Sequence, residues 1–284
     1  MFGFLNVYKP YGMTSHDVIN RLRRCLKIKK IGHGGTLDPL AEGVLPIAIG
    51  GATRLIDFLP AEKEYSADFK LGVTSKSYDT ETELEHFSDK RVSESDVKKE
   101  LKNFEGEIKQ KPPIYSAVKV GGQKLYELAR NGECAEIPER TITVEKILLT
   151  EFDEINQTGK LLINCSKGTY IRSIINDMGQ NLGTCAVMSG LVRTKSGGMT
   201  AEKAVRLEDI LNDEKPERYI FPVSDILDFQ ELEISEKQFE RVRNGNEITS
   251  NAENGNVFIK YNGEITALGE AENNTVKIRK VFIQ

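Results

Sequence analysis

The chain has 284 residues, of which 39% are hydrophobic and 29% are charged, and this balance excludes a disordered or fibrous chain and allows a large hydrophobic core. The net charge of −4 argues mildly against a polyanionic partner, but the charges are unevenly distributed. Residues 1–60 carry eight Lys or Arg and four Asp or Glu. Residues 201–284 carry 11 Lys or Arg and 17 Asp or Glu, so the excess of negative charge lies in this last part.

Residues 14–30 are predicted to form a helix, because apolar residues recur at helical spacing and Thr14 followed by Asp17 resembles a capping box. Its polar side and its end are strongly basic. This run is either a solvated helix face or a surface that binds phosphates, and the sequence leaves both open. The basic side chains are Arg21, Arg23, Arg24, Lys27, Lys29 and Lys30.

A glycine-rich segment, residues 32–43, is the densest cluster of chemically useful residues. Its glycines let another molecule approach the backbone closely, and no Gly-Lys-Ser/Thr ending marks it as a nucleotide-triphosphate loop. Pro39 favours an extended Asp38 at a loop-to-helix junction, so Asp38 is either a helix N-cap or an exposed nucleophile or acid-base group. His33 is either a surface side chain or a functional one.

Residues 64–73 alternate as in a half-buried strand, with Tyr65, Ala67, Phe69 and Leu71 on the apolar face. Residues 143–152 and 160–165 are predicted to be two further strands. Residues 170–182 then carry a helical apolar stripe that ends at Gly183.

Residues 117–137 are polar and contain glycine, with a short helical portion near 124–130, and are either a connection or a mobile arm. After residue 228 the predicted strands are short: 256–261, 264–268 and 275–281. Because strands and helices do not alternate in regular βαβ units, we expect an α+β protein with a mixed, largely antiparallel sheet flanked by helices and loops.

The cysteines and histidines give no sign of a metal centre or a disulfide framework. Cys25, Cys134, Cys165 and Cys185 form no CxxC pair, and the three histidines are isolated. The start of the chain does not resemble a signal peptide, and no apolar run approaches the roughly 18 residues that would span a membrane. We therefore expect a cytoplasmic protein without a membrane partner.

Five stretches in order are similar to the bacterial tRNA pseudouridine-55 synthases, the TruB family. The signature is GHGGTLDPLAEGVLPIAIGGATR (32–54), preceded by NVYKPYGMTSHDV (6–18). The others are KEYSADFKLG (63–72) followed by YDTETE, QKPPIYSAVKVGGQKLYELAR (110–130), and KGTYIRSIINDMG (167–179) followed by LVRTKSG (191–197).

The resemblance implies a pseudouridine synthase fold, with a catalytic domain at 1–228, an RNA-binding arm at 117–137 and a small PUA-like domain at 229–284. It implies isomerisation of uridine 55 in the T loop of tRNA to pseudouridine, by base flipping and without cofactor or metal. The implied partner is the T stem-loop of tRNA, with no guide RNA, and the implied state is a monomer.

The resemblance also assigns roles to single residues. Asp38 corresponds to the family nucleophile, which acts at ribose C1′ or through a glycal-type intermediate, and Arg172 to the arginine that pairs with it. Tyr65 corresponds to the tyrosine that stacks on the target base. Tyr170 and Leu191 match residues that line the uridine pocket, His33 matches the histidine that replaces the flipped base, and Lys9, Arg21, Arg24 and Lys27 are candidate phosphate contacts.

Two alternatives remain beside this interpretation. One is a guide-RNA-dependent relative with the same chemistry. The other is an RNA-binding protein without catalysis, against which the joint presence of Asp38, Tyr65 and Arg172 argues, since a carboxylate near a phosphate-rich ligand is electrostatically unfavourable.

Overall fold

The computed structural model describes residues 1–116, 118–120, 122–125 and 137–282. Most of the expected arm at 117–137, with its predicted helix, lies outside these residues. The described helices are α1 (Ser15–Leu26), α2 (Glu94–Leu101), α3 (Ile171–Asn181), α4 (Leu207–Asn212) and α5 (Glu236–Arg243). Short 3₁₀ helices lie at Gly50–Phe58, Lys102–Phe104, Ala201–Lys203, Pro216–Tyr219 and Val223–Asp225.

The strands of the first half are β1 (Gly3–Lys9), β2 (Ile31–His33), β3 (Ala41–Ile49), β4 (Lys63–Leu71), β5 (Val73–Thr74), β6 (Glu85–His86), β7 (Gly106–Gln110), β8 (Lys119–Val120) and β9 (Gln123–Lys124). The later strands are β10 (Arg140–Asp153), β11 (Thr158–Cys165), β12 (Ala186–Ser196), β13 (Met199–Thr200), β14 (Val205–Arg206), β15 (Gln230–Glu233), β16 (Ile248–Thr249), β17 (Gly255–Tyr261), β18 (Glu264–Glu272) and β19 (Thr275–Val281).

A ten-stranded sheet organises the larger part of the described chain, in the order β14-β1-β3-β12-β4-β11-β10-β7, with β2 paired to β3 and β13 to β12. Among the described strands of this sheet, only the β1–β14 and β3–β12 pairs are parallel. The expectation of a mixed, largely antiparallel sheet in an α+β protein is confirmed. A second sheet, β15-β17-β18-β19-β16, contains the three strands predicted after residue 228.

Hydrophobic side chains join the sheets and helices into several cores. Tyr65, Ala67 and Phe69 of β4 pack with the apolar stripe of α3, including Ile174 and Met178, as the alternation and the helical spacing predict. Another core joins the two sheets, because Phe258 and Leu268 of the second sheet pack against β1, β3 and the 3₁₀ helix Gly50–Phe58. The expected boundary between residues 228 and 229 stays a proposal.

Helix α1 is shorter than predicted. The capping box of Thr14 and Asp17 is present, and the helix ends where Lys27 adopts a left-handed conformation with φ 56°. The basic residues after Lys27 therefore lie in a turn that leads into β2.

The expected loop-to-helix junction at Asp38 was wrong, because the structure has a turn there that leads directly into β3. The Ala41 amide donates to the Asp38 carbonyl oxygen at 3.0 Å, with Pro39 at the second position of the turn. Asp and Pro suit this β-turn as well as they suit a helix start. The apolar run that follows pairs on both sides, with β1 and with β12, so β3 is a strand and Asp38 is not a helix N-cap.

Candidate active site

A pocket of about 220 Å³ lies beside the central strands of the large sheet. Strands β3, β12 and β4 are neighbours, and Leu191 of β12 pairs with Ala41 of β3 and with Ala67 of β4. This register brings the turn before β3, the middle of β12 and the start of β4 to one place. The pocket is lined by Thr36, Leu37, Asp38, Lys63, Tyr65, Ser116, Gly168, Thr169, Tyr170, Ile171, Arg172 and Leu191.

Five of the residues singled out from the sequence line this pocket. Asp38, Tyr65, Tyr170, Arg172 and Leu191 come from distant segments and meet there. The roles assigned to them remain proposals at this point.

Asp38 and Arg172 form an ion pair. Arg172 Nη2 lies 2.8 Å from Asp38 Oδ2, and the arginine side chain is only 5% exposed, whereas that of Asp38 is 39% exposed. Arg172 is therefore not a surface residue, which would have been the ordinary expectation for an arginine of an amphipathic helix. The carboxylate is oriented from the protein side and remains open toward the pocket.

A second carboxylate, Asp79, holds the other side of the guanidinium. Arg172 Nη1 lies 3.2 Å from Asp79 Oδ2, and the Asp79 side chain is 3% exposed. The remaining Asp79 oxygen accepts from Ser77 Oγ at 2.5 Å and from the Glu81 amide at 2.9 Å. Sequence reasoning assigned no role to Asp79, although the matched YDTETE string contains it.

Backbone contacts on both sides of Asp38 fix the turn that carries it. Ser15 Oγ accepts from the Leu37 amide at 2.8 Å, and the Gly12 amide donates to the Pro39 carbonyl oxygen at 2.8 Å. Since the residues before and after Asp38 are both tied to the start of α1 and the loop before it, the carboxylate is held in place before any substrate arrives.

Lys9 also supports this turn, which corrects its expected role. The residue is fully buried, and its Nζ donates to the carbonyl oxygens of Pro10 at 2.9 Å, Met13 at 2.5 Å and Pro39 at 3.4 Å. Burial lowers the pKa of Lys9 to about 8. A phosphate cannot reach an ammonium group enclosed in this way, so we assign Lys9 to the scaffold of the turn.

Arg193, like Asp79, supports the site and was given no role from the sequence. It is fully buried, and its guanidinium donates to the carbonyl oxygens of Val44 at 2.8 Å, Thr36 at 3.3 Å and Gly35 at 3.0 Å. It thereby fixes the glycine-rich segment against β12. Its place directly after the apolar pair Leu191 and Val192 in a central strand is the signal that could have identified it.

Tyr65 and Tyr170 form walls of the pocket. Burial raises the pKa of the Tyr65 phenol, so the ring stays neutral at ordinary pH. The backbone of Tyr170 is clamped by Gln110, whose Oε1 accepts from the Tyr170 amide at 2.8 Å and whose Nε2 donates to its carbonyl oxygen at 3.0 Å. Gln110 was not singled out from the sequence either.

His33 lies outside the residues that line the pocket. It is the last residue of β2, is half-buried, and its Nδ1 accepts from the Gly35 amide at 3.4 Å. Burial, helped by Arg193, lowers the pKa of its imidazole, so the ring is neutral at pH 7. A neutral planar ring suits contact with nucleobases, but its contact with RNA remains a proposal.

Within the described ranges, no group of three His, Cys, Asp or Glu side chains is arranged to hold a metal ion. In the same part of the chain, no helix has the length and apolar character needed to cross a membrane.

Comparisons with known proteins identify the family of the chain. Residues 23–171 match the model of the TruB family pseudouridylate synthase, N-terminal domain, and residues 172–228 match that of the tRNA pseudouridylate synthase B C-terminal domain. The chain is 42% identical over 290 residues to a tRNA pseudouridine synthase B from Carboxydothermus hydrogenoformans, covering 99% of each chain. It is 39% identical to one from Streptococcus sanguinis, covering both chains in full.

A solved structure is also similar. In the crystal structure of a Cbf5-Nop10-Gar1 complex, one chain matches with a TM-score of 0.73 and 30% identity, covering 99% of this chain and 85% of that one. The family models, the full-length relatives and the fold agree: the chain belongs to the TruB family of pseudouridylate synthases.

Proposed function

We propose that this protein converts uridine 55 in the T loop of tRNA to pseudouridine, with Asp38 as the nucleophile. The observation that carries the proposal is the exposed Asp38 carboxylate, paired with buried Arg172 inside a pocket walled by Tyr65. The substrate is supported by the full-length relatives, which are named tRNA pseudouridine synthase B.

The pocket volume supports base flipping. About 220 Å³ is small for a ligand site and fits a single nucleotide that has left its helix, not a paired and stacked one. Tyr65 and Tyr170 offer aromatic rings beside the uracil, and Leu191 gives an apolar contact. His33 lies outside the pocket, where a neutral imidazole can occupy the gap that the flipped base leaves in the T loop.

The reaction balances without an oxidant or a cofactor. The bond between uracil N1 and ribose C1′ breaks, the detached uracil turns, and a bond forms between its C5 and C1′. N1 ends with a proton and C5 loses one, so one proton exchanges with solvent. Asp38 attacks C1′ to form an ester, or it acts on the sugar as a glycal-type intermediate forms; both routes start from the ionised carboxylate.

Arg172 keeps Asp38 oriented for either route. The buried guanidinium pairs with the carboxylate, and Asp79 in turn fixes the guanidinium. Because the turn around Asp38 is also fixed by backbone contacts, little of the substrate's binding energy is needed to organise the site.

We further propose that the protein acts as a monomer in the cytoplasm and without a guide RNA. A guide-RNA-dependent enzyme is the second candidate, and the likeness to a chain that forms part of a Cbf5-Nop10-Gar1 complex favours an enzyme that acts in an assembly. The identity of 39–42% over whole chains to proteins named tRNA pseudouridine synthase B favours the stand-alone enzyme.

The test is tritium release from a tRNA transcript labelled at C5 of uridine, with the purified wild-type protein alone. Multiple turnovers with release from position 55 support the proposal. Release only after a guide RNA is added supports the second candidate, and no release with tight tRNA binding supports a non-catalytic RNA-binding protein.

A further inference from the structure

Two cationic side chains, Lys63 and Arg193, lie close together beside the pocket, next to Gly35, which has no side chain. Lys63 begins β4 and lines the pocket, and Arg193 lies opposite Tyr65 on β12. A Cβ atom added to Gly35 would lie 3.0 Å from Lys63 Nζ and 3.6 Å from Arg193 Nη1. Gly35, with φ 133°, therefore lets the Lys63 ammonium lie against its backbone, with the Arg193 guanidinium just beyond it.

Neither cation has a carboxylate partner. Among the residues that the structure describes, no Asp or Glu oxygen lies within 4.0 Å of either group, and the donors of Arg193 are directed to backbone carbonyls. Lys63 has no hydrogen-bond acceptor within those residues either. Lys167 adds a third positive charge nearby. Lys63 thus lies beside like charges without a counter-charge, an arrangement that an anion in the pocket would stabilise.

The pocket's substrate brings such an anion with it. Each nucleotide of an RNA chain is flanked by two phosphodiesters, and lysine binds phosphate as a mobile point charge. Lys63 lines the pocket, so its ammonium can meet a phosphate of a bound nucleotide there. Burial and the neighbouring Arg193 lower the pKa of Lys63 to about 8, and a bound anion would favour its charged form.

We propose that Lys63, beside Arg193 and over Gly35, binds a phosphodiester that adjoins the flipped uridine. This inference rests on the proposed function and adds a binding subsite to it. Its purpose follows from the chemistry: once the N1–C1′ bond breaks, the uracil must turn while the ribose stays in register with Asp38. A phosphate fixed on Lys63 holds the ribose while the base moves.

The test combines two variants with two RNAs. Lys63→Met removes the charge, and Lys63→Arg retains it. Lys70→Met is the matched control, because Lys70 is an exposed lysine on the same strand. The RNAs are a T-arm hairpin and the same hairpin with a neutral methylphosphonate at one of the two phosphates that flank the target uridine, each position tested in turn.

We expect Lys63→Met to weaken hairpin binding by about tenfold or more, and to lower the slope of log affinity against log salt by about one. Lys63→Arg restores most of the affinity, and Lys70→Met binds like the wild type. A methylphosphonate at one flanking position weakens the wild type by a similar factor and leaves Lys63→Met unchanged, because the contact is already absent.

Two results overturn the proposal: a wild type that tolerates the methylphosphonate at both positions, or a Lys63→Met variant that loses as much affinity to it as the wild type does. A kcat loss in Lys63→Met with unchanged affinity also overturns it and indicates proton transfer instead. If Lys63→Met does not fold, Lys63→Gln takes its place. These binding results are separate from tritium release by the wild type, whose failure would contradict the proposed function and not this contact.

Discussion

Replacing Arg172 with methionine removes the cation that lies between Asp38 and Asp79. The Asp79 side chain is 3% exposed, so the change leaves a carboxylate buried without a counter-charge. Breaking a buried ion pair from one side costs about 3–5 kcal/mol, whereas an exposed pair contributes up to about 1 kcal/mol. We expect Arg172→Met to lower the free energy of unfolding by the larger amount and kcat by at least about a hundredfold, since Asp38 loses its orientation.

The double variant separates the buried charge from the loss of packing. In Arg172→Met with Asp79→Asn, the amide oxygen can still accept from Ser77 Oγ or the Glu81 amide, and no buried charge is left unpaired, because the remaining carboxylate of Asp38 is 39% exposed. We expect the double variant to be more stable than Arg172→Met alone by about 1–3 kcal/mol, while its kcat stays low.

Urea unfolding gives the free energies, and tritium release gives kcat. Arg243→Met is the control, because Arg243 pairs with Glu240 and both side chains are more than half exposed, and it should cost less than about 1 kcal/mol. If Arg172→Met is as stable as this control, or if adding Asp79→Asn lowers its stability further, then Arg172 does not neutralise a costly buried charge at Asp79.

Three other predictions follow from the site. His33→Ala should reduce kcat/KM on a folded T arm by at least about tenfold, because the gap left by the flipped base stays empty; equal activity of the two proteins would contradict this role. Lys9→Met should lower the free energy of unfolding by about 1–3 kcal/mol in urea titrations, since three carbonyl oxygens lose their donor from a buried lysine; an unchanged midpoint would exclude that support. The wild-type KM for tRNA should rise as the pH passes about 8, because Lys63 loses its charge there, and Lys63→Arg should show a flat profile. Beside Lys63, Cys165 has a pKa that burial raises to about 11, so it stays neutral in this range, and a rise that persists in Lys63→Arg would assign the pH effect elsewhere.

Local patterns in the sequence were sufficient to predict several elements. The alternation from Tyr65 to Leu71 gave the strand and its buried face, and the capping box at Thr14 and Asp17 marked the start of α1. Both depend on side chains within a few residues of one another, and tertiary contacts agree with them here.

The turn after Asp38 could not be predicted in the same way. Asp followed by Pro fits a helix start and a β-turn equally, and the choice depends on the pairing of the next residues with β1 and β12. These partner strands are distant in sequence, so no local pattern contains the answer.

The burial of charged side chains was the other feature that the sequence did not predict. Lys9 and Arg172 both resembled ordinary surface cations, because a sequence does not show which acceptors will surround a side chain. Arg172 is buried since Asp38 and Asp79 meet it from segments far away in the chain, and Lys9 is buried since the turn at Pro39 returns to it. The family resemblance identified Arg172 but not the environment of Lys9.

We propose that the Asp38 carboxylate performs the chemistry and is not merely part of an RNA-binding surface. Asp38→Asn preserves the shape of the turn and removes the charge, and Asp228→Asn, at an exposed position, is its control. Tritium release and tRNA binding should be measured on the same preparations. We predict that the kcat of Asp38→Asn falls by more than about 10³-fold, while its tRNA affinity stays within about tenfold of the wild type. Turnover close to that of the Asp228→Asn control would contradict it.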